Sequence, residues 1–264
     1  MGSLKTNKKI NSLMVVALAA GMFASASASA AAISLVNGDF ETGTLGGWTS
    51  LGNVFATPST SVTTSVGSVT WTIGAAGTSM AQLNSKGSSI AAIETALGLV
   101  SGSLNALNTN ASGGSLTNGA AIYQSFTGNI GDSVGMAWDY VARDYIPFND
   151  PSYAIIINPD GSTVIDVLAT IHGLGIAVGT SGHSGWQTFG HTLTQTGNHM
   201  IAFVTTNDKD TVLDSAFFLD NVAGTCNPTC PPPVVTAVPE PASLALLGLG
   251  LAGLGAMRRR KLPA

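Results

Sequence analysis

Tyr153 to Asn158 and Ser162 to Leu168 are two short runs of β-forming residues, and Asn158-Pro159-Asp160-Gly161 lies where they meet. Proline pre-sets the first corner of a type I turn and glycine takes the position that needs positive φ, so this stretch reads as a hairpin. The same pattern recurs along the chain and restricts it to a fold of many short strands. Strand-like segments run from Ile33 to Phe40, Val62 to Ile73, Met80 to Leu83 and Ala121 to Phe126. After a turn over Gly128 to Asp132 come Val134 to Val141, and later Trp186 to Leu193, His199 to Thr205 and Ala216 to Val222. Only Ser89 to Leu99 has helical spacing, with Ile90, Ile93, Leu97 and Val100 on one face and Ser88 or Ser89 as N-cap. A loop rich in Gly, Asn and Ser follows, from Asn105 to Asn118. These elements predict an all-β fold, a jelly-roll-like β-sandwich with one short helix, as a single domain over residues 31–225.

Both ends are set apart from that domain by composition. Lys5, Lys8 and Lys9 precede an apolar run from Leu13 to Ala24, and Ala26-Ser27-Ala28-Ser29-Ala30 offers small-x-small cleavage sites. Residues 1–30 therefore read as a signal peptide, cut by signal peptidase after Ala30 or, second, after Ala28. Residues 226–237 read as a linker, with Cys226 and Cys230 just before Pro231-Pro232-Pro233. In an oxidising compartment the two cysteines predict a small local disulfide at the start of a stiff stalk. With no histidine nearby they make a poor zinc site. The apolar run Ala242 to Met257 has 16 residues. At about 1.5 Å per residue it spans roughly 24 Å, short of a hydrocarbon core of roughly 30 Å. Arg258, Arg259, Arg260 and Lys261 directly after it place its basic end in the cytoplasm and everything upstream outside.

Val238-Pro239-Glu240-Pro241, the apolar helix 242–257 and the basic tail 258–261, in that order, resemble the PEP-CTERM sorting signal. The resemblance implies export from a Gram-negative bacterium, handling by an exosortase and transient anchoring in the inner membrane. It places the finished protein at the cell surface or outside the cell, beside exopolysaccharide synthesis. An ordinary single-span C-terminal anchor is the plainer reading of the same residues.

Between Ala31 and Ala237 the only cations are Lys86, Arg143 and Lys209, against thirteen carboxylates, a net charge of −10. Such a domain cannot neutralise a phosphate backbone, which excludes nucleic acid as a partner. Anionic surfaces and acidic polysaccharides are repelled for the same reason, whereas divalent cations and neutral glycans are not.

Asn37-Gly38-Asp39-Phe40-Glu41 with Gly47-Trp48, and Phe218-Leu219-Asp220-Asn221-Val222, resemble the opening and closing strands of galactose-binding-like jelly rolls and carbohydrate-binding modules. The body, from Tyr123-Gln124-Ser125-Phe126 through Gly185-Trp186-Gln187-Thr188-Phe189 to Asp214-Ser215-Ala216, is similar to an uncharacterised group of PEP-CTERM proteins with no assigned activity. The first resemblance implies that the first and last strands lie side by side, joined by a structural calcium on Asp39, Glu41 and Asp220. Carboxylates with backbone carbonyls are the hard oxygen ligands calcium requires. The plainer reading makes Asp39 a turn cap and Asp220 a solvated strand end.

Two strings look catalytic and are not. Gly131-Asp132-Ser133-Val134-Gly135 has the spacing of a nucleophile elbow but follows a turn and opens a strand. Gly248-Leu249-Gly250-Leu251-Ala252-Gly253 matches a dinucleotide fingerprint only inside the apolar tail. Asn207-Asp208-Lys209-Asp210 lacks the glycine and distal glutamate of a calcium loop and reads as a polar turn. His172, His183, His191 and His199 show no metal spacing. Asp139, Asp144 and Asp150 are near enough in sequence to supply a glycosidase pair. Trp138, Tyr140, Tyr145, Phe148 and Tyr153 cluster around the Arg143–Asp150 loop, and Tyr145 and Phe148 are the rings to stack on a sugar if there is a glycan site; the plainer reading makes Trp138 and Tyr140 core and the loop a cover. Three function classes follow. A non-catalytic exported protein of the surface or biofilm matrix comes first, a glycan-binding module second and a carbohydrate hydrolase third.

Overall fold

The computed structural model describes residues 33, 35–109 and 114–220. In chain order the first strands are β1 (Thr49–Leu51), β2 (Asn53–Thr57), β3 (Thr60–Thr63), β4 (Thr70–Ile73), β5 (Met80–Asn84) and β6 (Ser88–Ser89). Two helices follow, α1 (Ile90–Ala96) and α2 (Ser103–Ala106). Then come β7 (Leu116–Gly128), β8 (Ser133–Val141), β9 (Ser152–Ile157), β10 (Thr163–Thr170) and β11 (Ile176–Ala177). The last three are β12 (Gln187–Thr192), β13 (Gly197–Asp208) and β14 (Ala216–Asp220). One sheet has the order β1-β7-β13-β9-β10-β11, with β6 also on β7; the other has the order β12-β8-β14-β5-β2. The chain crosses between them at five of the seven steps after β7, so the fold is an all-β, jelly-roll-like sandwich.

The inner faces meet in one core. Phe203 of β13 faces Phe217 of β14 at 6.4 Å between ring centroids, and Trp138 and Phe189 extend the stack at 6.0 and 6.1 Å. Burying each such side chain is worth about 1.5–3 kcal/mol, so this stack outweighs any surface hydrogen bond in holding the sheets together. Part of each outer face is also covered. Ile93, Leu97 and Leu104 of the helical segment pack on Ala121, Tyr153, Ile155 and Val204. The β3–β4 hairpin lays Val62 and Ile73 on Met80, Val141 and Phe218. Strand β13 is therefore buried on both faces from Ile201 to Asp208.

The hairpin expected at Asn158-Pro159-Asp160-Gly161 is present, joining β9 to β10. Gly161 sits at φ +82° and its N–H donates to Asn158 O at 2.9 Å. The helix is capped by Ser89, whose hydroxyl accepts from Ala92 N–H, and it ends at Ala96. Gly98 then turns left-handed while Leu99 N–H returns to Glu94 O. A second helix of one turn, α2, begins before Asn105 and takes the first two residues of what reads in sequence as loop. It is tied to α1 by the buried Glu94 carboxylate, which accepts from Gly102 and Leu104 N–H at 2.8 and 3.0 Å.

Two strand expectations are corrected. The strand expected from Ile33 to Phe40 is not formed over the described residues 35–40: Asn37 and Phe40 take left-handed φ values of 49° and 54°, and residues 36–39 fold into turns. Its apolar residues act as a plug instead, with Phe40 fully buried against Trp48 at 5.6 Å. Val62 to Ile73 is a hairpin rather than one strand, because the chain reverses where Gly67 and Ser68 are left-handed at 75° and 49°. Consequently β14 is flanked by β5 and β8, not by the opening segment. Among the described residues no helix is long and apolar enough to cross a membrane. The signal peptide 1–30, the linker with Cys226 and Cys230, and the tail with Val238 to Pro241 and Arg258 to Lys261 lie outside the described residues.

Candidate functional site

The antiparallel registers set β14 between two ends of the sandwich. Ala216 pairs with Asn84 and Val141 at one end, while Leu219 pairs with Ala81 and Asp220 with Ala137 towards the other. The carboxylates singled out in sequence divide between these ends.

At the Asp220 end the turn after Phe40 brings Glu41 to the loop before β5. Its carboxylate accepts from Thr78 N–H at 2.9 Å, from the Thr78 hydroxyl at 2.7 Å and from Ser79 N–H at 3.2 Å. A Cβ at Gly77 would collide with that carboxylate, so the close approach requires glycine. The Thr78 backbone bond first, then the Thr78 hydroxyl and Ser79, hold the Glu41 carboxyl below its ordinary range. Asp220, buried, accepts from Ala76 N–H in the same loop at 2.8 Å. Asp39 is exposed and accepts only weakly from Glu41 N–H, at 3.3 Å. A cation and an N–H donor compete for the same lone pairs. Two of the three carboxylates reach one loop, and both spend oxygens on N–H donors. Among the described residues no three His, Cys, Asp or Glu side chains are grouped to hold a metal ion. The donor set as it stands does not fit the expected calcium cage, and the loop is closed here by hydrogen bonds.

At the Ala216 end the loop between β8 and β9 carries Tyr145 and Phe148. Their rings meet edge to face at 5.2 Å and 79°, with Tyr145 39% and Ile146 54% exposed. Leu174, from the loop after β10, is also exposed. That loop approaches Pro147, whose O lies 3.1 Å from His172 Nε2. Ser181 knits a third segment in: its N–H donates to Asp144 O and its hydroxyl to Val66 O at the tip of the β3–β4 hairpin. Trp138, Tyr140 and Tyr153, by contrast, are core, and the Tyr140 and Tyr153 hydroxyls donate to Asp150 O and Leu104 O.

The three aspartates considered for hydrolysis are all buried. Asp139 is buried, with its oxygens on His183 Nε2 at 2.9 Å and the Ser184 hydroxyl at 3.1 Å; Trp71 lies against that imidazole at 4.8 Å, tilted by 39°. Asp144 accepts from Tyr145 N–H at 2.8 Å, and burial pushes its carboxyl up to about 6. Asp150 accepts from Asp208 N–H at 3.0 Å and from the Ser215 hydroxyl at 2.8 Å, and burial raises it well above the usual range. Glycosidase chemistry needs two carboxyls flanking an accessible bond, which these buried groups do not offer. Asn207 and Asp208 are likewise not a solvated turn: both are buried at the end of β13, and the turn begins only at Lys209, φ +72°. Ser133 opens β8 after a turn, as its sequence context requires.

Residues 237–261 match the PEP-CTERM protein-sorting motif. The chain carries a PEP-CTERM sorting signal. The match covers the motif, the apolar run and the basic tail as one unit. No curated protein matches the sequence. Among solved structures the chain is similar to TmCBM61 in complex with β-1,4-galactotriose, at 12% identity over 71% of this chain and 93% of that one, TM-score 0.34. It is also similar to the CBM22-1 xylan-binding domain from Paenibacillus barcinonensis Xyn10C, at 14% identity over 74% and 94%, TM-score 0.32. A third is the K3 cleaved adhesin domain of Lys-gingipain from Porphyromonas gingivalis, at 15% identity over 69% and 92%, TM-score 0.34. The PEP-CTERM signal marks this chain as an exported protein.

Sequence reasoning singled out Tyr145, Phe148, Glu41 and Asp220 but missed their supports. Nothing in Thr78 or Ser79 as residues announces an acceptor 37 positions away. The Asp139–His183 pair, 44 positions apart, is equally silent until His183, ahead of β12, bridges Val141 at the end of β8.

Proposed function

We propose that this protein is a non-catalytic constituent of the cell surface or extracellular matrix, delivered there by its PEP-CTERM signal and processed by an exosortase. The observation that carries the reading is the motif over residues 237–261 on a chain whose sandwich leaves its candidate catalytic aspartates buried. The signal, once read, has no further role, so the mature protein loses Arg258 to Lys261. Intact-mass measurement of protein released from the surface tests this; a mass that retains the basic tail overturns it.

A second reading is favoured by one feature, the exposed Tyr145 ring set edge-on to Phe148. Sugar faces stack on such rings, and a domain of net charge −10 leaves neutral exopolysaccharide as the compatible partner. Retention of the protein on neutral glycans, lost on Tyr145→Ala, is the expected result. Equal retention of the variant would remove the loop from glycan recognition.

A further inference from the structure

The β8–β9 loop, which carries the exposed Tyr145 and the partly buried Phe148, is hung between two buried carboxyls. At its start Asp144, 2% exposed, accepts the Tyr145 N–H, while its backbone O accepts from Ser181. Ile146 N–H completes that junction on the Thr180 hydroxyl at 3.3 Å. At its end Asp150, fully buried and left-handed at φ +42°, fastens the loop to Asp208 N–H and Ser215. Here the loop meets the segment after β10 and the segment joining β13 to β14, so it moves only if these junctions give way.

The charges around the junctions are of both signs. From the end of β13 come Asp208, Lys209 and Asp210; from the next segment comes Asp214, paired with Lys86 Nζ at 2.7 Å. Arg143 precedes Asp144 on the loop itself, His172 touches Pro147 from the β10 side, and the Tyr140 hydroxyl lies on Asp150 O. Desolvation first, and then Asp210 and Asp208, oppose ionisation of Asp144; desolvation, Asp144 and Asp208 oppose that of Asp150. A carboxyl raised in the folded state binds its proton more tightly there than in the unfolded chain. Its contribution to stability is therefore complete below the ordinary value of 3.8 and is lost as pH rises through about 6.

We propose that the Tyr145–Phe148 loop is a pH-sensitive element, seated by protonated Asp144 and Asp150 in mildly acidic medium and loosened in neutral to alkaline medium. Its functional half, stronger glycan retention in acid, rests on the glycan reading above. The structural half stands without it.

The test is a series of thermal melts of the full-length protein from pH 4.5 to 8, beside retention on an insoluble neutral glycan over the same range. The wild-type midpoint falls as pH rises from 5 to 7, by about 3 °C or more. Asp144→Asn, which keeps an acceptor for Tyr145 N–H but cannot ionise, flattens that fall, while the exposed Asp166→Asn does not. A wild-type midpoint that is flat or rises over this window overturns the proposal, and so does an Asp144→Asn profile identical to the wild type. If that variant does not fold, amide exchange of residues 143–149 in the wild type decides: faster exchange at pH 8 than at pH 5, beyond the intrinsic rate change, supports the switch, and unchanged protection sinks it. Absence of glycan retention at every pH removes the glycan reading and leaves the melts to judge the switch.

Discussion

The two ends of the sandwich handle carboxylates in opposite ways. At the Asp220 end Glu41 lies at the surface, receives three N–H or O–H donors from Thr78 and Ser79, and is held below the usual range. At the Ala216 end Asp144 and Asp150 are walled in, face Asp208, and are pushed upward. Donors that converge on a charge stabilise it, and burial beside like charge does the reverse. One end is thus a clasp that works ionised, and the other an anchor that works protonated. The aromatic rings divide the same way: Phe40 plugs the clasp end, and Tyr145 stands out from the anchor end.

Removing those two rings should give the largest contrast. Phe40→Ala leaves a cavity beside Trp48 and costs about 3–5 kcal/mol, read as a lower urea midpoint with unchanged slope. Tyr145→Ala, at a 39% exposed position, should cost less than about 1 kcal/mol and act instead on glycan retention. A large stability loss from Tyr145→Ala would show that the loop belongs to the core.

Next comes the clasp. Glu41→Gln removes the charge that Thr78 and Ser79 stabilise, so it should lower the melting midpoint at pH 7. Because the Glu41 carboxyl is held below its ordinary value of 4.5, its contribution exists above that value and disappears as pH falls through the folded one. The deficit of Glu41→Gln should therefore shrink towards pH 3, opposite in sign to the Asp144→Asn profile. Parallel profiles for the two variants would erase the contrast between the ends.

The smallest expected effect is that of calcium. With Glu41 and Asp220 turned to backbone donors, excess calcium or chelator should leave the midpoint unmoved. A calcium-dependent rise that saturates, following RT ln(1 + [L]/Kd), would show that a cation displaces those donors and would restore the set Asp39, Glu41 and Asp220.

Some features were readable from local residues alone. Asn158-Pro159-Asp160-Gly161 makes its hairpin because proline and glycine restrict their own φ, and Ser89 caps α1 because its hydroxyl reaches only three residues on. The sorting signal is local too, being a contiguous motif, apolar run and basic tail. Ile33 to Phe40 misled because an apolar segment packs as well in a turn as in a strand. Its left-handed Asn37 and Phe40 are set by contacts such as Trp48 Nε1 to Asn37 O.

The sequence by itself determined the all-β class and the exported state, since each follows from short-range pattern or composition. Only the tertiary structure decided which aspartates are buried. Asp208 reads in sequence as part of a polar turn and Asp144 and Asp150 as members of a catalytic pair, and nothing adjacent to them in sequence marks them as interior. Their environment is made by β13, β14 and two loops closing over them. The free energy of a charge depends on what surrounds it in space, and sequence neighbours supply only a small part of that surrounding.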